Sequence, residues 1–285
     1  MIDLHCHSNL SDGHLSPSAL LKRALIAGVR MLALTDHDTI DGLMSLQQAS
    51  RHEPILIING IELSTRWKKY DIHVIGLGID LTDSGLTTLI HQQTTSRIER
   101  AHQIAAKMAL LGIPNAFEKA RTIAGHQRIG RPHFASVLMA EKNITDRQLA
   151  FKRYLGRGKP AYVPTLWVSI AHAVAAICAA GGQAILAHPL KYNLTKTKLH
   201  ELITEFKSAG GAGLEVISGE MTTVQIQEMA GLCLRFNLLS STGSDYHGDE
   251  VSRVSLGRQR QLPENCTPIW QQWTNLPAAI RLNNN

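Results

Sequence analysis

The feature that most constrains this chain is where acids and histidines interrupt its apolar runs. Short β-rich stretches recur: MLALT (31–35), ILIINGIEL (55–63), DIHVIGLGI (71–79), QAILA (183–187), GLEVI (213–217) and LLSST (238–242). The chain opens in the same style, with residues 2–6 reading as a strand that runs into DLHCHSNLSDG. Strand alternation would project Asp3, His5 and His7 from one face and Leu4 and Cys6 from the other. Two imidazoles two residues apart can reach one cation, yet an ordinary half-buried strand would carry them as well. The other strand ends decide between these readings. Asp36, His37 and Asp38 follow the second strand, Glu62 lies near the end of the third, and His73 sits in the fourth; His188 follows a later strand, and Asp245 and His247 follow the last. A charged group in an apolar strand is costly to bury without a partner or a metal. In α/β barrels the C-terminal ends of the strands form the active face. Repeated strand ends of this kind point to one shared centre rather than to isolated core polar groups.

The segments between the strands fit that architecture. Ser16-Pro17 offers an N-cap and a proline at the first helical position, and Gly28 offers a left-handed stop. Another helical stretch separates MLALT from ILIINGIEL. After residue 82 the alternation lapses: 86–111 reads as one long helix ending at Gly112, and further helical segments reach Tyr154. Alternation resumes after PAYVP (160–164), with helices near 168–180, 195–208 and 221–236. The expected fold is α/β, a barrel built from 1–82 and 160–285 and interrupted by a helical insertion over 83–159. The polar tail Asn283–Asn285 is expected to fray.

Composition excludes some function classes. With 44% apolar and 18% charged residues the chain can bury a sizeable core, while 5% aromatics leaves little for a base-stacking platform. A formal charge of +6 suits a phosphorylated substrate or short nucleic acid, but with no basic helix or aromatic-rich sheet no binding of DNA duplex is expected. The four cysteines form no CxxC pair, so neither a disulfide framework nor a zinc ribbon is expected and the cytoplasm is the expected compartment. No signal peptide and no membrane span is expected, and nothing marks an obligate protein partner.

DLHCHSNLSDG, TDHD, GIELS, DIHVIG, AHP and GSDYH, in that order, resemble the motif series of the PHP (polymerase and histidinol phosphatase) phosphoesterases. Within that family the chain is similar to the group of nucleoside 3′,5′-bisphosphate phosphatases and the 5′-to-3′ exoribonuclease RNase AM. IGRPHFA (129–135) and YLGRGKPAYVP (154–164) extend the likeness into the insertion. The resemblance implies a distorted (β/α)7 barrel holding three divalent metal ions, with manganese the first choice and iron or zinc as alternatives. Carried over by position, it implies one ion on His5, His7, Glu62 and Asp245, and a second on Glu62, His73 and His188. The third would sit on Asp12, His37 and His247. Asp3, Asp36 and Asp38 are expected to orient ligating imidazoles by accepting their second N–H.

The reaction this implies is attack on phosphorus by a hydroxide bridging two metals, with Glu62 as the bridging carboxylate and a ribose oxygen expelled. His37 or His247 is the candidate to protonate that oxygen if free of full ligation. Substrate choice falls to the insertion: Arg131 and His133 for a second phosphate, Arg157 and Lys159 for added positive charge. Lys191 keeps a charge where the subgroup leads one to expect arginine, but it lacks the fork for bidentate phosphate contact. His14, His52, His91, His102, His126, His172 and His200 are expected at the surface. The expected substrate is a nucleoside 3′,5′-bisphosphate, cleaved at the 3′-phosphate, with 5′-phosphorylated short RNA as a second substrate. Two alternatives are a phosphatase for another small monoester, such as histidinol phosphate, and a non-catalytic PHP module.

Overall fold

Strand and helix alternate from the second residue onward. In the computed structural model, which describes residues 1–273, β1 (Ile2–Cys6) leads to α1 (Pro17–Ala27), β2 (Met31–Leu34), α2 (Asp41–Ala49), β3 (Leu56–Trp67) and β4 (Tyr70–Leu77). The insertion follows as α3 (Ser84–Leu110), α4 (Ala116–Ala124), α5 (Arg131–Lys142) and α6 (Arg147–Ala150), which runs into a π-helical turn at Phe151–Leu155. The chain then returns through β5 (Val168–Ser169), α7 (Ile170–Ala179), β6 (Gln183–Leu186), α8 (Lys196–Ser208), β7 (Gly213–Ser218), α9 (Thr223–Phe236) and β8 (Leu239–Gly243). The caps read from sequence form: Ser16 accepts from Ala19 N, and Gly28 takes the left-handed conformation at φ 75°. The polar tail 283–285 lies outside the described residues.

The main sheet runs β1-β2-β3-β4-β6-β7-β8, with short β5 added to the far end of β3. Its two ends meet: Asp245 N donates to His5 O at 2.8 Å and His7 N to Tyr246 O at 2.9 Å, so the barrel is nearly closed. The distortion has a local cause. Chain reversal at Lys68-Lys69, with Lys68 at φ 52°, makes β3 and β4 a hairpin, and β4 therefore runs antiparallel to both β3 and β6. The remaining neighbours are parallel, as crossover helices require.

Three packing layers position the site. Leu4, Met31, Ala33, Ile75, Leu77, Ile185 and Ala187 fill the barrel interior below the polar strand ends, closed by Ile269 and Trp270. Outside the wall, Ile61, Leu63, Val74, Leu186, Leu214 and Val216 pack against Ile177, Phe206 and Met229 of the surrounding helices. The insertion has a core of its own, in which Ile104, Met108, Phe134, Leu138 and Leu155 meet Ala161 and Val163 on the return path.

Helix α3 belongs to both bodies. Its buried stripe follows helical spacing through Leu86, Leu89, Gln93, Arg97, Arg100, Ile104 and Met108. Leu86 and Leu89 join the barrel core, Ile104 and Met108 join the insertion core, and the polar middle of the stripe lies between.

One detail of β1 departs from simple alternation. The register with β2 slips between Asp3 and Cys6, a bulge that adds one residue to β1. Leu4 therefore joins the interior cluster rather than sharing the outer side with Cys6, and Asp3 turns away to the backbone N–H groups of Ser244 and Gly257. No described helix is long and apolar enough to cross a membrane.

Candidate metal centre

Glu62 is the hub of the polar strand ends. It is fully buried, and its Oε1 lies 2.9 Å from both His73 Nδ1 and His188 Nε2. Its Oε2 lies 2.9 Å from His37 Nδ1 and 3.3 Å from the Nε2 atoms of His5 and His7. Asp245 Oδ1 faces the same pair of Nε2 atoms at 3.4 and 3.3 Å. Asp12 closes the other side, 3.3 Å from His247 Nε2 and 3.8 Å from His37 Nε2. Thus His5, His7, Asp12, His37, Glu62, His73, His188, Asp245 and His247 stand in one connected cluster. Their compact groupings overlap: His7 with Asp12, His37 and His247; His5 with His7 and Asp245; His5 with Glu62 and His188; His37 with Glu62 and His73.

This donor set fits divalent cations. The Nε2 atoms of His5 and His7 face each other at 3.1 Å, with carboxylate oxygens of Glu62 and Asp245 converging on them. Glu62 Oε2, His37 Nδ1 and His188 Nδ1 are buried without a well-formed hydrogen bond. So many converging lone pairs in a largely buried site are satisfied by cations more readily than by shared protons. Burial would raise the carboxyl pKa values of Glu62, Asp12 and Asp245, yet the imidazoles around them, and Lys191 beside Asp245, hold all three well below the usual range. Burial drives His7 down to about 3, helped by the charge of His247, which leaves a neutral imidazole suited to ligation. At His247 burial acts downward too, but Asp12 and Asp245 push it up to about 9.

The backbone is bent to make these contacts. Asp38 (φ 53°), His188 (φ 29°) and Asp245 (φ 51°) all adopt the left-handed region that non-glycine residues avoid. Each follows a strand, where a sharp turn re-aims the next side chains into the barrel mouth.

The supporting carboxylates work differently from the sequence expectation. Asp3 accepts from Ser244 N at 2.9 Å and Gly257 N at 2.8 Å. Asp36 accepts from Ser8 N at 2.7 Å and from the hydroxyls of Ser8 and Ser11 at 2.5 Å. Asp38 accepts from Ser64 N at 2.7 Å and pairs with Arg97. None of them takes an imidazole N–H: they pin the loops, because each is bound to backbone and hydroxyl donors or a guanidinium closer at hand. The orienting role falls to Glu215, whose Oε1 lies 2.8 Å from His5 Nδ1 while Oε2 accepts from His188 N at 2.7 Å. An acid inside the apolar run GLEVI is the same signal that marked Glu62, and it applied here as well.

The insertion residues divide. His133 is buried and accepts the Gly130 N–H at Nδ1 (2.9 Å), which leaves the proton on Nε2; burial lowers its pKa to about 4. Arg131 is half-buried, 3.8 Å from Asp71. Arg157 is exposed over the β3–β4 turn, donating to Lys69 O at 2.5 Å, and Lys159 is exposed beside it; neither joins the cluster. Lys191 is committed to Asp245. His126, expected at the surface, is half-buried because the insertion docks on the loop after β1: its Nε2 donates to Ser11 O at 3.0 Å. A cleft of about 400 Å³ opens beside Asp12, Asp245 and His247, walled by Pro132 and Arg147 of the insertion and by Arg253.

Known proteins share this fold and sequence pattern. The family model for the PHP domain matches residues 3–143. A 5′-3′ exoribonuclease of Haemophilus influenzae is 41% identical over 95% of this chain and 98% of its own length. The chain belongs to the PHP family. A second relative of this PHP protein, a 3′,5′-nucleoside bisphosphate phosphatase of Chromobacterium violaceum, is 38% identical over 95% of each chain. The solved structure of an amidohydrolase from Chromobacterium violaceum, with sulfate bound and no metal, superposes with a TM-score of 0.90 at 38% identity, covering 95% of this chain and 94% of that one.

Proposed function

We propose that this PHP protein is a metal-dependent phosphoesterase that removes the 3′-phosphate of nucleoside 3′,5′-bisphosphates. On the same reading it trims 5′-phosphorylated short RNA from the 5′ end, in the cytoplasm. The observation that carries the proposal is the single cluster of nine acids and imidazoles around Glu62, joined to a cleft with one wall from the insertion. Full-length likeness to relatives named for both activities supports it.

The residues present would hold up to three divalent ions, manganese first and iron or zinc as alternatives. His5, His7 and Asp245 would serve one, Glu62 with His73 and His188 a second, and Asp12 with His37 and His247 a third. Ions held there supply positive charge to phosphate oxygens and acidify water.

The chain does the rest by position. Glu62, shared by five imidazoles, fixes the spacing of the centre. Both reactions cleave the bond between phosphorus and a ribose 3′-oxygen: water adds its oxygen to phosphorus, and the 3′-oxygen leaves with a proton. His247 borders the cleft and His37 is half-buried nearer Glu62; either would deliver that proton only when not held as a ligand. On this reading His133, a neutral N–H donor, and Arg131 would meet the second phosphate from the insertion, while Arg157 and Lys159, exposed by the β3–β4 turn, would add only longer-range positive charge.

The test is a manganese-dependent panel comparing pAp, a 5′-phosphorylated oligoribonucleotide, a cyclic nucleotide and histidinol phosphate. Selective turnover of the first two is expected; turnover of histidinol phosphate alone would replace the reading with that of a small-monoester phosphatase.

A further inference from the structure

The cleft beside the centre offers more cationic wall than a mononucleotide needs. It opens from the Asp12–Asp245–His247 edge of the cluster, with the insertion on one side and the loops after β7 and β8 on the other. Arg147, the first residue of α6, lines the insertion wall, and Arg253 lines the loop wall. The cations of the cleft are not equally free. Lys191 is committed to Asp245. Arg253 reaches Glu220 at 3.2 Å, but both groups are exposed, so the pair is weak and easily exchanged. The Arg147 guanidinium is half-buried and has no ion pair or hydrogen bond among the described residues. Its neighbour Asp146 does not answer it, because that carboxylate is turned to its own helix and accepts from Gln148 N at 2.6 Å. Pro132, Val251 and Val254 add apolar surface to the same cleft.

The chemistry of the two substrates gives this wall a role. In pAp nothing is attached beyond the reacting phosphate. In RNA that phosphate is also esterified to the 5′-oxygen of a second nucleotide, and breaking its bond to the first 3′-oxygen leaves it on the shortened strand. The strand beyond the reacting phosphate has to run outward from the centre. Arg131 does not line the cleft; it turns to Asp71 on the hairpin that carries His73. The cleft, at about 400 Å³, has room for a nucleotide, and its unpaired guanidinium is a fork that a phosphodiester can answer.

We propose that this cleft is the track for RNA on the 3′ side of the cut, and that Arg147 holds the phosphodiester between the second and third nucleotides. This inference rests on the proposed 5′-to-3′ exoribonuclease activity and deepens it, because it names a residue that serves RNA and not pAp. After each cut the phosphate at Arg147 is the next to reach the centre. A contact to phosphate carries no base information, so the track accepts any sequence.

The experiment compares wild type with Arg147→Met on pAp, on the 5′-phosphorylated trinucleotide pApApA, and on the same trinucleotide with an uncharged methylphosphonate as its second linkage. For Arg147→Met the ratio of kcat/KM for pApApA over pAp should fall about 10-fold, the loss expected for one charge-assisted hydrogen bond. The change should lie in KM rather than kcat, and the dependence of log KM on log salt should flatten by about 0.7. Wild type should prefer the charged linkage to the methylphosphonate by about the same 10-fold, and the variant should not. Equal losses on pAp and pApApA, or an undiminished preference for the charged linkage in Arg147→Met, would overturn the proposal. If Arg147→Met does not fold, the wild-type comparison decides: no preference for the charged second linkage overturns the proposal, and a 10-fold preference upholds it. A 3′-labelled trinucleotide with CH₂ in place of its first 3′-oxygen, which cannot be cut there, is titrated by fluorescence anisotropy against each protein as purified. If the wild type degrades no RNA, the exoribonuclease reading falls and this titration alone decides the track. Weaker binding by Arg147→Met upholds it, and equal or undetectable binding by both proteins overturns it.

Discussion

Replacing Glu215 with glutamine tests how the centre holds its imidazoles. In the structure one carboxylate serves two donors: Oε1 takes the His5 Nδ1 proton at 2.8 Å and Oε2 takes the His188 backbone N–H at 2.7 Å. That fixes His5 in the tautomer with a bare Nε2, the nitrogen that faces His7, Glu62 and Asp245. Glutamine keeps the shape but can accept at only one of the two positions. If its oxygen stays with His5, its NH₂ meets the His188 N–H, donor against donor. If it flips, the NH₂ drives His5 to the opposite tautomer and places a proton where a lone pair should be. Either arrangement leaves a buried donor unpaired, at about 1–3 kcal/mol, and weakens a charge-assisted bond. Outer carboxylates of this kind contribute roughly 10–100-fold to metal affinity. Glu215→Gln should therefore unfold at lower denaturant in the metal-free state and bind manganese about 10–100-fold more weakly, measured by chemical denaturation and by metal titration. Wild-type stability together with wild-type metal affinity would refute the assignment of Glu215 as the orienting carboxylate.

Other outcomes follow from the same geometry. Glu62→Gln should cut phosphate release from pAp by more than about 100-fold and lower the metal retained per chain, because the hub loses its charge; both are read on the same preparation. Asp38→Asn should cost about 3–5 kcal/mol in denaturant unfolding, since it leaves the buried Arg97 guanidinium without its counter-charge. His133 has a folded pKa of about 4 against an ordinary 6.5, so the neutral form is favoured on folding. Its contribution is complete above pH 6.5 and is lost as pH falls towards 4, because the unfolded chain takes up the proton first. That amounts to at most about 3 kcal/mol, and stability curves of His133→Gln should be flatter over this window than those of wild type.

Much of this was legible in the sequence because the informative residues break a period. Glu62 and His73 stand out in apolar strands whose neighbours alternate, and Ser16 and Gly28 mark both ends of α1 unaided. The nine clustered side chains come from six separate stretches of sequence, and the motif order was enough to gather them. What stayed hidden depends on contacts that no local pattern encodes. The bulge in β1 turns Asp3 away from His5, and strand alternation cannot foresee a register slip. The hairpin reversal at Lys68-Lys69 makes two neighbouring pairs antiparallel, although the strands around it read as crossover units. Glu215 lay inside a run read simply as a strand. Arg97 and Arg100 occupied the core face of a helix whose period was correct, but polar residues on that face become meaningful only where the helix crosses from one core to the other.

The central claim is that the cluster around Glu62 is a metal centre that cleaves phosphate esters. The most direct measurement is metal content by elemental analysis, coupled to phosphate release from pAp before chelation, after chelation and after manganese is restored. The account predicts more than one divalent ion per chain, loss of activity with those ions and recovery when manganese returns. Hydrolysis of pAp at an undiminished rate by a fully chelated protein would contradict it.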